Sequence, residues 1–148
     1  MHDDLRFMAE ALAEARQGLA EGGVPIGSVI VIDGKIVGRG HNRRVQEGSA
    51  ILHGEMDALR NAGRLPASAY ARATLYSTLS PCPMCTGAAL LFKIPRVVFA
   101  ENHTFVGAED WLRHNGVELV NLDLPEAREL MRTFIREHPE IWDEDIAV

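Results

Sequence analysis

Cys82 and Cys85 are the only cysteines in this 148-residue sequence, and they stand three positions apart in "TLSPCPMCTGAALL". A disulfide or redox couple, a metal site, and two core thiols with no role are all open to such a pair. The pair follows a β-rich run and heads an Ala- and Leu-rich one, which predicts that both thiols sit in the first turn of a helix. Residues i and i+3 share a face there, and the positive end of the helix dipole favours thiolates. Pro81 and Pro83 suit a helix start, where a missing N–H costs little. Two thiolates on one face are soft ligands, well matched to zinc. A third ligand should be histidine, and the sequence offers His2, His41, His53, His103, His114 and His138.

His53 is distinguished by its surroundings. In "LHGEMDAL" it too opens a helical stretch, and Glu55 lies two positions on. Two helix starts can present His53, Cys82 and Cys85 to one ion and leave a fourth position for water, the arrangement that separates catalytic from structural zinc. Zinc brings the pKa of its water to roughly 7. Two thiolates with a neutral imidazole cancel the ion's charge and temper that acidity, so a neighbouring base becomes valuable. Glu55 can take the proton from water and pass it on, as a shuttle and not as a ligand. A zinc knuckle completed by another histidine, or two inert thiols, is the structural alternative. A thioredoxin-like pair is disfavoured because Pro83 and Met84 separate the thiols and no Trp precedes them.

These positions need elements to hold them. Asp3 and Asp4 precede a helical stripe of Leu5, Met8, Leu12, Ala15 and Leu19, which Gly22-Gly23 stops. "SVIVI", Asp33-Gly34 and "KIVGRG" read as two strands joined by a type I′ turn. "HNRRVQEGSAIL" reads as a loop before a helix from about His53 to Ala62. "TLYST", "RVVFA" and "VELVNL" are the remaining strands. "PMCTGAALLFK", "AEDWLRHN" and "PEARELMRTFIREH" are the remaining helices, and Pro139 ends the last of them. This alternation predicts an α/β fold, a three-layer α/β/α sandwich with a mixed five-stranded sheet, as one domain over residues 1–148.

Composition narrows the function classes. The length allows a real core without staples. The longest apolar runs are far too short to span a membrane. The acidic, amphipathic start lacks an export signal, so a cytoplasmic protein with no membrane partner is expected, where a structural disulfide is disfavoured. The net charge of −6 argues against nucleic acid as a partner.

His53-Gly54-Glu55 followed by Pro81-Cys82-Pro83-Met84-Cys85 matches the H-x-E…P-C-x-x-C pattern of zinc deaminases. With "EGGVPIG", "GRGHN", "TLSPCPMCTGA" and the terminal "WDEDI", the chain resembles the fungal-type cytosine deaminases of the cytidine deaminase-like superfamily nearly end to end. The resemblance implies hydrolysis of free cytosine to uracil and ammonia by a homodimer with one zinc ion per subunit. It implies that His53, Cys82 and Cys85 bind the metal and that Glu55 is the catalytic proton shuttle. It gives Asn42 and the Gly54 N–H the N1–H and O2 edge of the base. It gives the Ser80 carbonyl and Asp145 the exocyclic amine, with Phe105, Trp142 and Ile26 walling the ring.

Independently, a side-chain amide offers one donor and one acceptor, which suits an N1–H/O2 edge and favours a free base over a nucleoside. The tail "PEIWDEDIAV" is expected to form a short helical turn with Trp142 and Asp145 on one face. Such a turn would fold over the site as a lid with little core to fill. The stretch "VGAEDWLRHN" between Phe105 and Gly116 is slightly shorter than in those enzymes and adds Trp111. Isocytosine, a 5-substituted cytosine, guanine or a triazine are therefore alternative substrates. A tRNA adenosine deaminase shares the zinc pattern, but the net charge, the lack of a basic aromatic stripe and the ring-capping tail count against it.

Overall fold

Strand side chains alternate between the two faces of a sheet, and both faces of this one are apolar. The computed structural model describes residues 2–148. Its elements are α1 (His2–Ala20), β1 (Gly27–Ile32), β2 (Lys35–His41), α2 (Arg44–Glu47), α3 (Gly54–Ala62), α4 (Ala67–Tyr70), β3 (Ala73–Ser77), α5 (Pro83–Leu91), β4 (Arg96–Phe99), α6 (Glu109–His114), β5 (Glu118–Asn121), α7 (Pro125–Glu137) and α8 (Pro139–Asp145). Val29, Val31, Tyr76 and Val98 pack with α1 residues Phe7, Met8, Ala11 and Leu12 and with Ala127 of α7. Their neighbours Ile30, Ile32, Leu75 and Val97 point the other way, onto Ala58 of α3, Ala89 of α5 and Leu112 of α6. This is the expected three-layer sandwich.

The sheet runs β2-β1-β3-β4-β5. β1 is antiparallel to both β2 and β3, while β3, β4 and β5 are mutually parallel. Asp33 and Gly34 both have positive φ, 51° and 77°, as a type I′ hairpin demands. A register shift between Ile30 and Val31 leaves Val37 as a bulge in β2. Because β1 and β3 are antiparallel, the start of β1, the end of β2 and the ends of β3 and β4 lie at one rim. Ile26, Asn42, Leu79, Ser80 and Glu101 leave the sheet there. Of two short helices, α2 falls in the stretch that reads as loop and α4 in a stretch to which the sequence assigns no element; both have only four residues, below the length that periodicity can register. No helix among the described residues is long and apolar enough to cross a membrane.

α3 is drawn onto β2 by absent side chains. A Cβ on Gly38 would come 2.4 Å from the Ala58 carbonyl oxygen, and one on Gly40 would come 2.6 Å from the Ala58 nitrogen. Asp57, fully buried on α3, locks the contact: its Oδ2 accepts from His41 N–H at 3.0 Å and Arg43 Nε at 2.8 Å, and its Oδ1 from Arg60 at 2.6 Å.

On the opposite face Asp4 ties α1 to the sheet. Arg96 donates to both of its carboxylate oxygens at 2.7 Å, and the Tyr76 hydroxyl donates to Oδ1 at 2.6 Å. The Arg96 bonds hold the Asp4 carboxyl down at about 2, against the opposing effect of burial. A depressed carboxyl pKa adds stability that is complete above the unfolded value and disappears as pH falls through the folded one. Asp4→Asn should therefore cost about 2 kcal/mol at neutral pH. The difference between the two proteins should shrink from about pH 4 to about pH 2, read by urea unfolding across that range.

Candidate active site

Two helix starts meet at the rim. His53 caps α3 and Cys82 caps α5, both with extended backbone, and Pro83 occupies the first turn of α5. Cys82 Sγ accepts from Cys85 N–H at 3.5 Å, so the N-cap and the third helical residue form one unit. Cys82 Sγ lies 3.3 Å from His53 Nδ1, Cys85 Sγ lies 3.7 Å from it, and the sulfurs are 3.6 Å apart. Both cysteines are free thiols. Among the described residues these three form a cluster able to hold a metal, with donor atoms within 4.8 Å of one another.

Tetrahedral zinc with bonds of about 2.3 Å to sulfur and about 2.0–2.1 Å to nitrogen needs donors roughly 3.5–3.8 Å apart. The donor set and its spacing both fit zinc. The other ring nitrogen, His53 Nε2, faces Asp145 Oδ2 at 3.4 Å, so a carboxylate stands at the outer side of the imidazole.

Beside the cluster lies a pocket walled by Ile26, Leu79, Phe105, Trp142 and Ile146, with Glu55, Ser80 and Asp145 among its polar residues. Phe105 and Trp142 meet edge to face, with centroids 6.3 Å apart. Burial, with the Cys82 thiolate next, pushes the Glu55 carboxyl up to about 7. Burial also raises Asp145, against the pull of His53, Asn42 and Arg44. The Cys85 thiol and N–H, aided by His53, hold Cys82 down at about 4 despite burial, and Cys85 is pushed well above the usual thiol value by Cys82 and burial. Burial works against charge on His53, but Cys82, Asp145 and Glu55 together outweigh it and lift the imidazole to about 9. All three donors must shed protons to hold a metal.

The sequence-predicted residues converge. Ile26, His53, Glu55, Ser80, Cys82, Phe105, Trp142 and Asp145 all line the pocket. Asn42 and Gly54 stand just behind it on Ile26: Asn42 N–H donates to the Ile26 carbonyl at 2.9 Å, and a Cβ on Gly54 would meet that oxygen at 3.0 Å. Asn42, fully buried, donates from Nδ2 to Asp145 Oδ1 at 2.7 Å and accepts at Oδ1 from Arg44 N–H at 3.1 Å. Sequence reasoning missed Leu79 and Ile146. The i, i+4 spacing of Trp142 and Ile146 was the available signal for the second.

One expectation needs correction. The tail is α8, and Trp142 is buried with Val24, Ile26, Leu79, Met131 and Phe134. It is core as well as pocket wall, because this cluster closes the open end of the sheet.

This fold and site define a zinc-dependent hydrolytic deaminase. Residues 1–101 match the cytidine and deoxycytidylate deaminase zinc-binding region, and the chain belongs to that family. It is 54% identical over 145 residues to a cytosine deaminase of Candida albicans, covering 97% of each chain. A tRNA-specific adenosine deaminase of Streptococcus pyogenes is 37% identical over 147 residues, covering 93% of this chain and 92% of that one. A solved structure from a study of A-to-I editing by tRNA:A34 deaminases at the wobble position superposes with a TM-score of 0.71 at 29% identity, covering 85% of this chain and 99% of the other.

Two outcomes follow from this geometry. His53→Ala, Cys82→Ser and Cys85→Ser should each weaken zinc binding by more than about 10-fold, the lower end of what losing even an outer partner costs. Metal analysis after dialysis reads this, and a fully loaded Cys85→Ser protein would exclude that ligand. Trp142→Ala should destabilise the fold by about 3–5 kcal/mol in thermal or urea unfolding, as removal of a buried ring does. A surface lid would leave stability unchanged.

Proposed function

We propose that this chain hydrolyses free cytosine to uracil and ammonia. The observation that carries the reading is the aromatic-walled pocket lined together by His53, Cys82, Glu55 and Asp145. The 54% identity to the Candida albicans cytosine deaminase over nearly all of both chains supports it. The pocket's aromatic walls, Phe105 and Trp142, suit a planar ring.

His53, Cys82 and Cys85 would hold zinc, which supplies the Lewis acidity that makes water a nucleophile near neutral pH. Glu55 takes one proton from the attacking water and gives it to the ring nitrogen, then takes the remaining hydroxyl proton and gives it to the departing amine. Burial raises its carboxyl, which suits a group that must both take and give a proton. After its bonds to Asp145 and Arg44, the Asn42 amide keeps one N–H and one lone pair, enough for the O2 and N1–H edge. Gly54 N–H assists at O2. The Ser80 carbonyl and Asp145 receive the exocyclic amine, and Phe105 and Trp142 wall the ring with Ile26 nearby. Water attacks the amine-bearing carbon, the carbon–nitrogen bond breaks, and ammonia leaves with the second proton carried by Glu55, while the first stays on the ring nitrogen of uracil.

We infer a homodimer working in the cytoplasm, with no nucleic-acid partner. Ile51, Leu91, Phe92 and Trp111 are exposed apolar side chains, which supports a covered surface. A reducing compartment suits two thiols kept free for metal. The net charge of −6 disfavours a polyanion.

Ammonia release from cytosine, isocytosine, 5-substituted cytosine, guanine, a triazine, cytidine and a tRNA anticodon loop decides the substrate. Cytosine should give the highest kcat/KM, and preference for the tRNA loop would overturn the reading. Glu55→Gln should retain zinc while losing about 10²–10⁴-fold in kcat. Near-normal turnover would remove Glu55 from proton transfer.

A further inference from the structure

Ser80 and Cys82 sit two residues apart, one in the pocket wall and the other capping α5 with a donor sulfur. Neither Ser80 nor Pro81 belongs to a helix or strand, so the segment depends on the bonds made to it. Three of them come from one short stretch at the start of α6. Ser80 Oγ donates to Glu109 Oε2 at 2.6 Å and accepts from Gly107 N–H at 2.8 Å. Ala108 N–H donates to the Pro81 carbonyl at 3.1 Å. Gly107 packs so closely that a Cβ there would fall 1.8 Å from that carbonyl oxygen. On the sheet side, Ser80 N–H donates to the Glu101 carbonyl at 3.0 Å.

The direction of the Ser80 hydroxyl is forced. Gly107 N–H can only donate, so Ser80 Oγ accepts there and its single proton goes to Glu109. The Glu109 carboxylate is only 6% exposed. It lies outside the ring of residues lining the pocket. Asn102 Nδ2 at 3.2 Å and Arg113 Nη2 at 3.3 Å complete its partners. Burying a carboxylate is costly unless its bonds compensate, and the shortest of these bonds leads to the segment that carries Cys82.

We propose that Glu109 is a positioning residue for the reaction. By accepting the hydrogen bond of the Ser80 hydroxyl it fixes Ser80–Pro81–Cys82, and so sets both Ser80 in the pocket wall and Cys82 Sγ among the metal donors. The stretch where this sequence departs from the enzymes it resembles thus acquires a role in holding the site. The substrate part of this inference rests on the function proposed above; the metal part does not.

The test is chelator-driven zinc release from the purified protein, alongside KM and kcat on its best base and thermal stability. Glu109→Ala should release zinc about 10-fold faster and raise KM. Glu109→Gln keeps an acceptor oxygen and should restore most of both. Ser80→Ala should reproduce the faster release, and the Ser80→Ala/Glu109→Ala double variant should be no worse than either single one. Glu109→Ala that lowers only stability, with zinc release and KM unchanged, overturns the proposal, as do additive effects in the double variant. If Glu109→Ala does not fold, a normal release rate in Ser80→Ala overturns it instead. A protein that binds no zinc would defeat the functional reading alone. Alkylation of Cys82, located by mass spectrometry, then decides: a severalfold change in Ser80→Ala and Glu109→Ala, with none in Glu109→Gln, supports the positioning role, and equal rates refute it.

Discussion

Three donors from two separate helices can share an ion only if the starts of those helices lie side by side, and this requirement governs the rest of the molecule. His53 and Cys82 each stand at the last extended residue before a helix, so their separation is set by where α3 and α5 dock on the sheet. α5 follows β3 directly. α3 reaches its place because Gly38 and Gly40 let its backbone settle on β2, and because Asp57 pins it to His41 and Arg43. The antiparallel β1–β3 pair then brings both helix starts to the same rim.

The rim concentrates groups that destabilise a fold when considered singly. Glu55 and Asp145 are buried carboxyls whose pKa values burial raises, and the thiols are driven apart, one down and one up. Such opposed shifts in one cleft mark chemistry rather than architecture. The contrast with Asp4 is instructive. It is as buried as Glu55, but two Arg96 bonds and one from Tyr76 keep it ionised and purely structural.

The C-terminal helix joins stability to selectivity. Trp142 contributes to the third hydrophobic cluster and to the pocket wall, while Asp145 reaches both Asn42 and His53. One seven-residue element therefore closes the core, limits the pocket and sets a carboxylate beside the imidazole. Selectivity for a small base needs no separate lid when the wall is part of the core.

Much of this was legible in the sequence. The alternation of Val29, Ile30, Val31 and Ile32 gave two buried faces, Asp33-Gly34 gave the hairpin, and the HGE and PCPMC motifs gave the three clustered donors and the buried Glu55 beside them, because periodicity and short motifs are local properties. The brief helices α2 and α4 escaped, being shorter than a full hydrophobic repeat. Nothing local revealed that the tail is core, that Asn42 bonds Asp145 across 103 positions, or that Glu109 holds Ser80 across 29. Those pairings exist only once the strands are ordered in the sheet. The sequence alone determined which residues could carry the chemistry; the tertiary structure decided which of them meet, because contact between distant segments is a property of packing and not of any one stretch of chain.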